Sequence, residues 1–341
     1  MVGDQTQPKK VLEEIQRPLN TRSTTVAWLN RQTMDVSYAK LWEIMEHNIE
    51  SFQKLVEYVG SLPENLRMVR LGSDCLPLFS EPTWGKFYNQ AGVRAYCESN
   101  LARVGQTARA LDVKLSFHPG QFCVISSDRP DVVDRSLEEL EYHATVASWM
   151  GYCKTPWDFK INIHLSGRLG VAGFDPAWNR MSPELRCGLT LENDEFQKGL
   201  DDLLELKDRV AIVLDVHHHF IRDEEYINVQ DDRVKKVIDS WQGVRPTMHY
   251  SYSRCEHLPD SVDTHSDFHE MSRLLEAGHR KQKLRAHSDY YPNPVVNDWA
   301  LSFWPHFDIM CESKMKNLAS RQLYEQAIKL PAYCNSNQYA A

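Results

Sequence analysis

The sequence is short of several things at once. Its eight cysteines, Cys75, Cys97, Cys123, Cys153, Cys187, Cys255, Cys311 and Cys334, contain no CxxC pair, which removes a dithiol redox motif and a thiolate zinc site. No apolar N-terminal segment reads as a secretion signal, so a reducing cytoplasm is the expected setting. The longest apolar runs, such as residues 210–216, fall far short of the roughly 20 residues a membrane span requires. Excess positive charge is missing too. A net charge of −8 at pH 7 argues against a protein that coats nucleic acid non-specifically, since neutralising phosphates supplies that affinity. It leaves room for an enzyme acting on DNA, because bound divalent cations offset carboxylate charge locally. Internal repeats, low-complexity tracts and any signal for an obligate protein partner are also lacking.

What remains is an alternation. The 341 residues allow two average domains or one (β/α)8 barrel with insertions, since such barrels take about 250 residues. Short apolar or β-branched runs recur with charged amphipathic stretches between them, the pattern of βα units rather than of hairpins. Eight strands are expected, at residues 24–29, 68–72, 114–117, 160–164, 188–192, 211–216, 247–252 and 307–312. Helical periodicity is clearest over residues 38–60 and 131–150. The reading is an α/β TIM (β/α)8 barrel forming a single domain over residues 23–330. An arm (1–22) precedes it, a tail (331–341) follows, and a His-rich insertion (255–285) separates the seventh and eighth strands.

The strand ends collect side chains that bind metals. His118 follows the third expected strand, His164 ends the fourth, Glu192 the fifth, and Asp215 and His218 the sixth. His249 lies on the seventh and Glu312 ends the eighth. In a (β/α)8 barrel these ends converge on the face where active sites are built. A single histidine at a strand end is more often a hydrogen-bonded packing residue than a ligand, but seven such positions on successive strands reverse that balance. Imidazole mixed with carboxylate suits Zn2+, Mn2+ or Fe2+ better than Mg2+ or Ca2+. The number of ligands implies at least two ions, the arrangement that hydrolyses phosphodiesters. In the run His217-His218-His219, read as strand, alternation brings one or two rings to the site; His218 is the candidate, with His217 and His219 in supporting places. His143 falls on a helix and reads as packing.

These residues sit in motifs that resemble the UV damage endonuclease family, relatives of endonuclease IV. The motifs are Arg70-Leu71-Gly72-Ser73-Asp74, Phe117-His118-Pro119-Gly120-Gln121-Phe122, Ile163-His164, Leu191-Glu192-Asn193-Asp194, Asp215-Val216-His217-His218, His287-Ser288-Asp289-Tyr290 and Asp308 through Lys314, in the family's order over roughly residues 24–320. The resemblance implies a metal-dependent DNA endonuclease acting on damaged double-stranded DNA. It implies two or three divalent ions, Mn2+ first with Zn2+ or Mg2+ as alternatives. It assigns His118, His164, Glu192, Asp215, His218, His249, His287 and Glu312 as ligands, with Glu192, Asp215, His249 and Glu312 as the catalytic core. Of two similar motifs, around His265 and His287, it selects His287 by its distance from Glu312 and leaves His265 as an alternative ligand or lid residue. Gln121 and Phe122 match the pair that wedges into the duplex opposite the lesion, where a distorted step opens at lower cost than an intact one. Asn30 matches a family asparagine, and Lys314 and Lys316 are candidate phosphate contacts, as are Arg129 and Arg254. Three positions depart from the pattern: Thr247 replaces a lysine, Glu81 a further histidine ligand, and Val26 a tyrosine.

Other readings remain open on the residues alone. A TIM-barrel sugar isomerase uses the same barrel face, but leans on more carboxylates and has no use for a Gln-Phe wedge. An apurinic-site endonuclease differs in lesion rather than in chemistry. A metal-stabilised DNA-binding module without activity is the third alternative.

Overall fold

The computed structural model of the protein describes residues 6–254 and 267–330. The chain forms two compact units, divided between Thr190 and Leu191.

In the first unit, β1 (Met68–Arg70), β2 (Lys114–Phe117) and β3 (Lys160–His164) pair in parallel, β1 with β2 and β2 with β3. Parallel neighbours need crossovers, and helices supply them. Met34–Gly60 precedes β1, Ala91–Ala110 leads into β2, and Pro130–Trp149 into β3. The first starts where the Thr33 side chain accepts from Val36 N, a standard N-cap. It buries Leu41, Ile44, Met45, Ile49, Phe52, Val56 and Val59, a stripe at three- and four-residue spacing. Phe52 and Phe117 meet at 6.4 Å between ring centroids, and burying a phenylalanine contributes about 1.5–3 kcal/mol.

β4 (Leu189–Glu192) runs across the division, buried at every position. In the second unit, β5 (Ala211–Asp215), β6 (Thr247–Tyr250) and β7 (Asp308–Cys311) are again parallel neighbours in that order. All residues of β5 and β6 are buried, which explains why Ala211-Ile212-Val213-Leu214 in β5 reads as a continuous apolar run rather than as alternation. Helix Asp232–Ser240 is fastened to β5 by two bonds: Ile212 N donates to Ser240 Oγ at 3.0 Å, and Trp241 Nε1 donates to Ile212 O at 2.8 Å.

Seven of the eight expected strands are present. Residues 24–29 form instead the short helix Val26–Leu29, because Thr25 accepts from Trp28 N and caps a turn where a strand was expected. Near the N-terminus a helix forms at Lys9–Gln16, with no buried residue. Over residues 267–285, helicity is split into Met271–Glu276 and Lys281–Leu284, interrupted at Gly278 with φ +91°. The run His217-His218-His219 is helical, in Val216–Asp223, so its rings fan out by about 100° per residue rather than alternating.

Candidate metal centre

The centre is built from strand ends in the second unit. Asn193, buried just past β4, donates from Nδ2 to Asp215 O and accepts at Oδ1 from Asp215 N, both at 2.8 Å. This pair of hydrogen bonds fixes the end of β5 against the residue following Glu192. Asp215 then caps the next helix: its Oδ1 accepts from His217 N at 2.8 Å and His218 N at 2.7 Å. One carboxylate oxygen is thus committed to backbone, while Oδ2, fully buried, accepts no hydrogen bond.

Around that oxygen the other groups converge. His218 Nδ1 lies 3.0 Å from Asn193 O, 3.4 Å from Glu192 Oε1 and 3.6 Å from Asp215 Oδ2, while its Nε2 is 3.5 Å from Glu195 Oε2. His249 stands opposite Asp215 in the β5–β6 register, with Nδ1 3.0 Å from Glu192 Oε1 and 3.4 Å from Glu312 Oε1. Glu192, Asp215, His249 and Glu312 each place one ligand-type atom within 4.8 Å of the others. His287 is carried by a segment tied to the chain after β6: Arg254 N donates to Ala286 O at 2.9 Å and Ser288 N to Tyr252 O at 2.8 Å. Its ring lies 6.1 Å from that of His217, whose Nε2 bonds Ser253 Oγ at 3.0 Å.

The electrostatics call for positive charge. Burial, and then Glu192 and Glu312, push the Asp215 carboxyl up to about 7. Burial opposes charge on His218, yet Asp215, Glu192 and Glu195 outweigh it and push its imidazolium up to about 10. His217 and His287 are pushed down, chiefly by burial. Buried carboxylates this close together need a proton or a cation among them. The donor set of carboxylates and imidazoles without thiolate fits a borderline divalent ion, and the buried, unbonded Asp215 Oδ2 is a free ligand position. The residues therefore fit divalent metal binding.

The remaining candidates are placed as follows. In the first unit, His118 follows β2 and His164 ends β3, with ring centroids 5.3 Å apart. Gln121 and Phe122 form the adjoining turn. Phe122 is 72% exposed, and a Cβ on Gly120 would stand 2.5 Å from its ring, so only glycine lets the ring fold there. Asn30 Oδ1 accepts from Trp84 Nε1 at 3.1 Å. Glu81 spends one oxygen capping a turn, accepting from Thr83 N and Trp84 N. In the second unit, Lys314 and Lys316 are exposed; Lys314 N donates to Ser288 O at 3.0 Å, and Lys316 adopts φ +50°. Arg129 pairs with its neighbour Asp131 at 2.7 Å. His265 lies outside the described residues. Thr247, on the same face of β6 as His249, is buried, and its hydroxyl has no hydrogen-bond partner.

Comparison with known proteins decides the family. The model of the family described as UV-endonuclease UvdE matches residues 8–340. The chain belongs to that family. A UV DNA damage endonuclease of Bacillus thuringiensis subsp. konkukian (strain 97-27) is 24% identical over 300 residues, covering 84% of this chain and 83% of that one. Another, from Clostridium perfringens (strain 13 / Type A), is 26% identical over 230 residues, covering 65% of this chain and 53% of that one. The solved structure of SacUVDE superposes with a TM-score of 0.67 at 20% identity, covering 92% of this chain and 93% of that one. The fold class of this UV-endonuclease family member is the TIM-type α/β barrel.

Sequence reasoning missed three participants. Asn193 was visible only as part of a motif, yet it is the clamp between β4 and β5. Glu195, three residues past Glu192 and almost wholly buried, faces His218 Nε2 and binds Arg285 Nη1 at 2.9 Å. Ser253 holds His217. No pattern flags Ser253; a further acid directly after Glu192-Asn193-Asp194 is the one hint of Glu195 in the sequence. His143 is a packing residue, fully buried against Phe117.

Proposed function

We propose that this chain is a DNA-repair endonuclease that hydrolyses the phosphodiester on the 5′ side of a UV photoproduct, either a pyrimidine dimer or a 6-4 photoproduct. The products are a 3′-hydroxyl and a 5′-phosphate, and abasic sites are a second substrate class. The observation that carries the reading is the buried Glu192–Asp215–His249–Glu312 cluster in a member of the UV-endonuclease family. The residues that would hold two or three divalent ions, Mn2+ foremost, are these four with His218 and His287, and, on their motifs and strand-end positions, His118 and His164. Such ions supply Lewis-acid stabilisation of the scissile phosphate and a water nucleophile at neutral pH.

The protein's own contribution is rigidity. Asn193 fixes the Asp215 backbone, and the helix cap fixes its Oδ1, so Oδ2 is aimed without freedom to turn. The loss of rotamer freedom is taken in folding rather than at the reaction. His217 stays neutral at Ser253, adding no fixed charge beside His287. Phe122, exposed and folded over Gly120, supplies the stacking face for an opened step, with Gln121 as its polar companion. Asn30, Lys314 and Lys316 are assigned to the DNA backbone and lesion.

The test is incision of a labelled duplex carrying one photoproduct or one abasic site, with Mn2+, Mg2+ or chelator. The expected result is a nick 5′ to the photoproduct in Mn2+, abolished by chelator and by His118→Ala. Cutting that survives both treatments overturns the metal-nuclease reading. Cutting of the abasic duplex alone moves the assignment to an apurinic-site endonuclease.

A further inference from the structure

Beside the carboxylate cluster, within the second unit, lies an open cavity of about 580 Å³ whose lining includes Glu195, His218, Lys283, Arg285, His287 and Lys314. Its charge is opposite to that of the neighbouring cluster. Among the described lining residues, the cationic side chains of Lys283, Arg285 and Lys314 accompany one carboxylate, Glu195, and that carboxylate is divided between Arg285 Nη1 at 2.9 Å and His218 Nε2 at 3.5 Å. Arg285 is held in place on two sides, by Glu195 and by the Phe196 ring, whose centroid is 5.4 Å from its guanidinium carbon. Its side chain is still 52% exposed. A guanidinium fixed by a buried acid and an aromatic face has lost its rotamer entropy in advance, which is what a site for an oxyanion needs. The backbone that presents these cations also presents His287. Arg285 and Lys283 precede it within four residues, and Lys314 is tied to the following residue by its N–H to Ser288 O at 3.0 Å.

We propose that this cavity is a subsite for a second backbone phosphate of the DNA strand, adjacent to the scissile one, with Arg285 as its fixed cation and Lys283 and Lys314 as flanking cations. It rests on the repair reading only in taking DNA as the ligand. The volume is in the range of small-molecule sites, enough for a sugar-phosphate unit. The subsite reads no base, so it raises affinity for damaged and undamaged duplex alike and sets the register of the strand along the cluster.

The experiment measures duplex binding by fluorescence anisotropy in chelator, where no strand is cut, over a series of salt concentrations, with and without one photoproduct. A Lys283→Gln/Lys314→Gln double variant should show a log Kd against log salt slope shallower by about 1, equivalent to about a 3.5-fold smaller loss of affinity between about 50 and 200 mM salt. The change should be equal on the two duplexes. Arg285→Lys keeps the charge and should keep the slope, while raising KM for incision in Mn2+ more than it lowers kcat. Both lysines are exposed, so the double variant should melt with the wild type, and Lys283→Gln alone provides a milder version. An unchanged slope in the double variant overturns the subsite while leaving incision as evidence for the repair reading. A shallower slope in a protein that never cuts overturns the repair reading and leaves the subsite standing. A wild type with no salt-dependent duplex binding overturns both.

Discussion

Two neighbouring histidines on one helix meet opposite kinds of charge network. His218 faces Glu192, Asp215 and Glu195, and His249 stands beside Glu192, so imidazoles are set against these carboxylates. His219 faces Asp223 at 3.0 Å and Glu225 at 3.2 Å, and behind them stands Arg233, bonded to Glu225 at 2.9 Å and to Asp231 at 2.8 Å. Imidazole is charged only when protonated; guanidinium is always charged. The second network is therefore closed. Hydrogen bonds from Arg233 hold Asp231 at about 2, and Glu225 sits below the usual carboxylate range although burial opposes it, because Arg233 and His219 bond it. In the first, burial and neighbouring carboxylates push Asp215 up to about 7. One network stabilises the fold as it stands, and the other is arranged to receive a cation.

Removing one charge from each side should have opposite consequences. Glu192→Gln is expected to cut incision by more than about 100-fold. Without added metal its melting temperature should be no lower than that of the wild type, since one of several crowded carboxylates is gone. A large drop in thermal stability with activity retained would make the cluster structural. Arg233→Met leaves Asp231 and Glu225 without their guanidinium and should cost about 1–3 kcal/mol in denaturant unfolding, with incision per folded molecule unchanged. An unchanged midpoint would break the contrast from the other side.

Smaller effects sharpen it. Phe122→Ala should leave stability within about 0.5 kcal/mol, because the ring is exposed. The preference for photoproduct over intact duplex should fall at least about fivefold, the lower end of what one stacked base is worth; equal preference in wild type and variant removes Phe122 from recognition. The smallest effect concerns pH. Because the folded-state Asp231 sits at about 2, below its unfolded value of about 3.9, its stabilisation is present above that unfolded value and is lost as pH falls through about 2. The stability difference between wild type and Arg233→Met should accordingly be flat above about pH 5 and shrink on acidification. A difference that grows toward low pH would contradict the Arg233 assignment.

Much of this was legible in the sequence, for physical reasons that also mark where it stopped. β2 and β3 coincide with their expected bounds because the polar-apolar alternation of Lys114-Leu115-Ser116-Phe117 and Lys160-Ile161-Asn162-Ile163, each followed by a histidine, leaves little choice. Residues 24–29 misled because Thr25 and β-branched neighbours read as strand, while a single side-chain cap to Trp28 N decides for a helix. The His217–His219 run misled in the same way: Asp215 is at once a strand end and a helix cap, and only the second role separates the three rings. The strand-end carboxylates were readable individually. Their convergence depends on Asn193 and on the β5–β6 register, which are long-range features no local pattern encodes. Arg285 reads as one more surface cation until Glu195 and Phe196 are seen to hold it.

The central claim, that the His218 side of the helix is a divalent-cation centre, is tested most directly by calorimetric titration of Mn2+ into the metal-stripped protein. The account predicts saturable heat for at least two ions per chain, reduced by at least one ion in Glu192→Gln and unaffected by Arg233→Met. No saturable heat in the wild type, or an identical titration in Glu192→Gln, would contradict it.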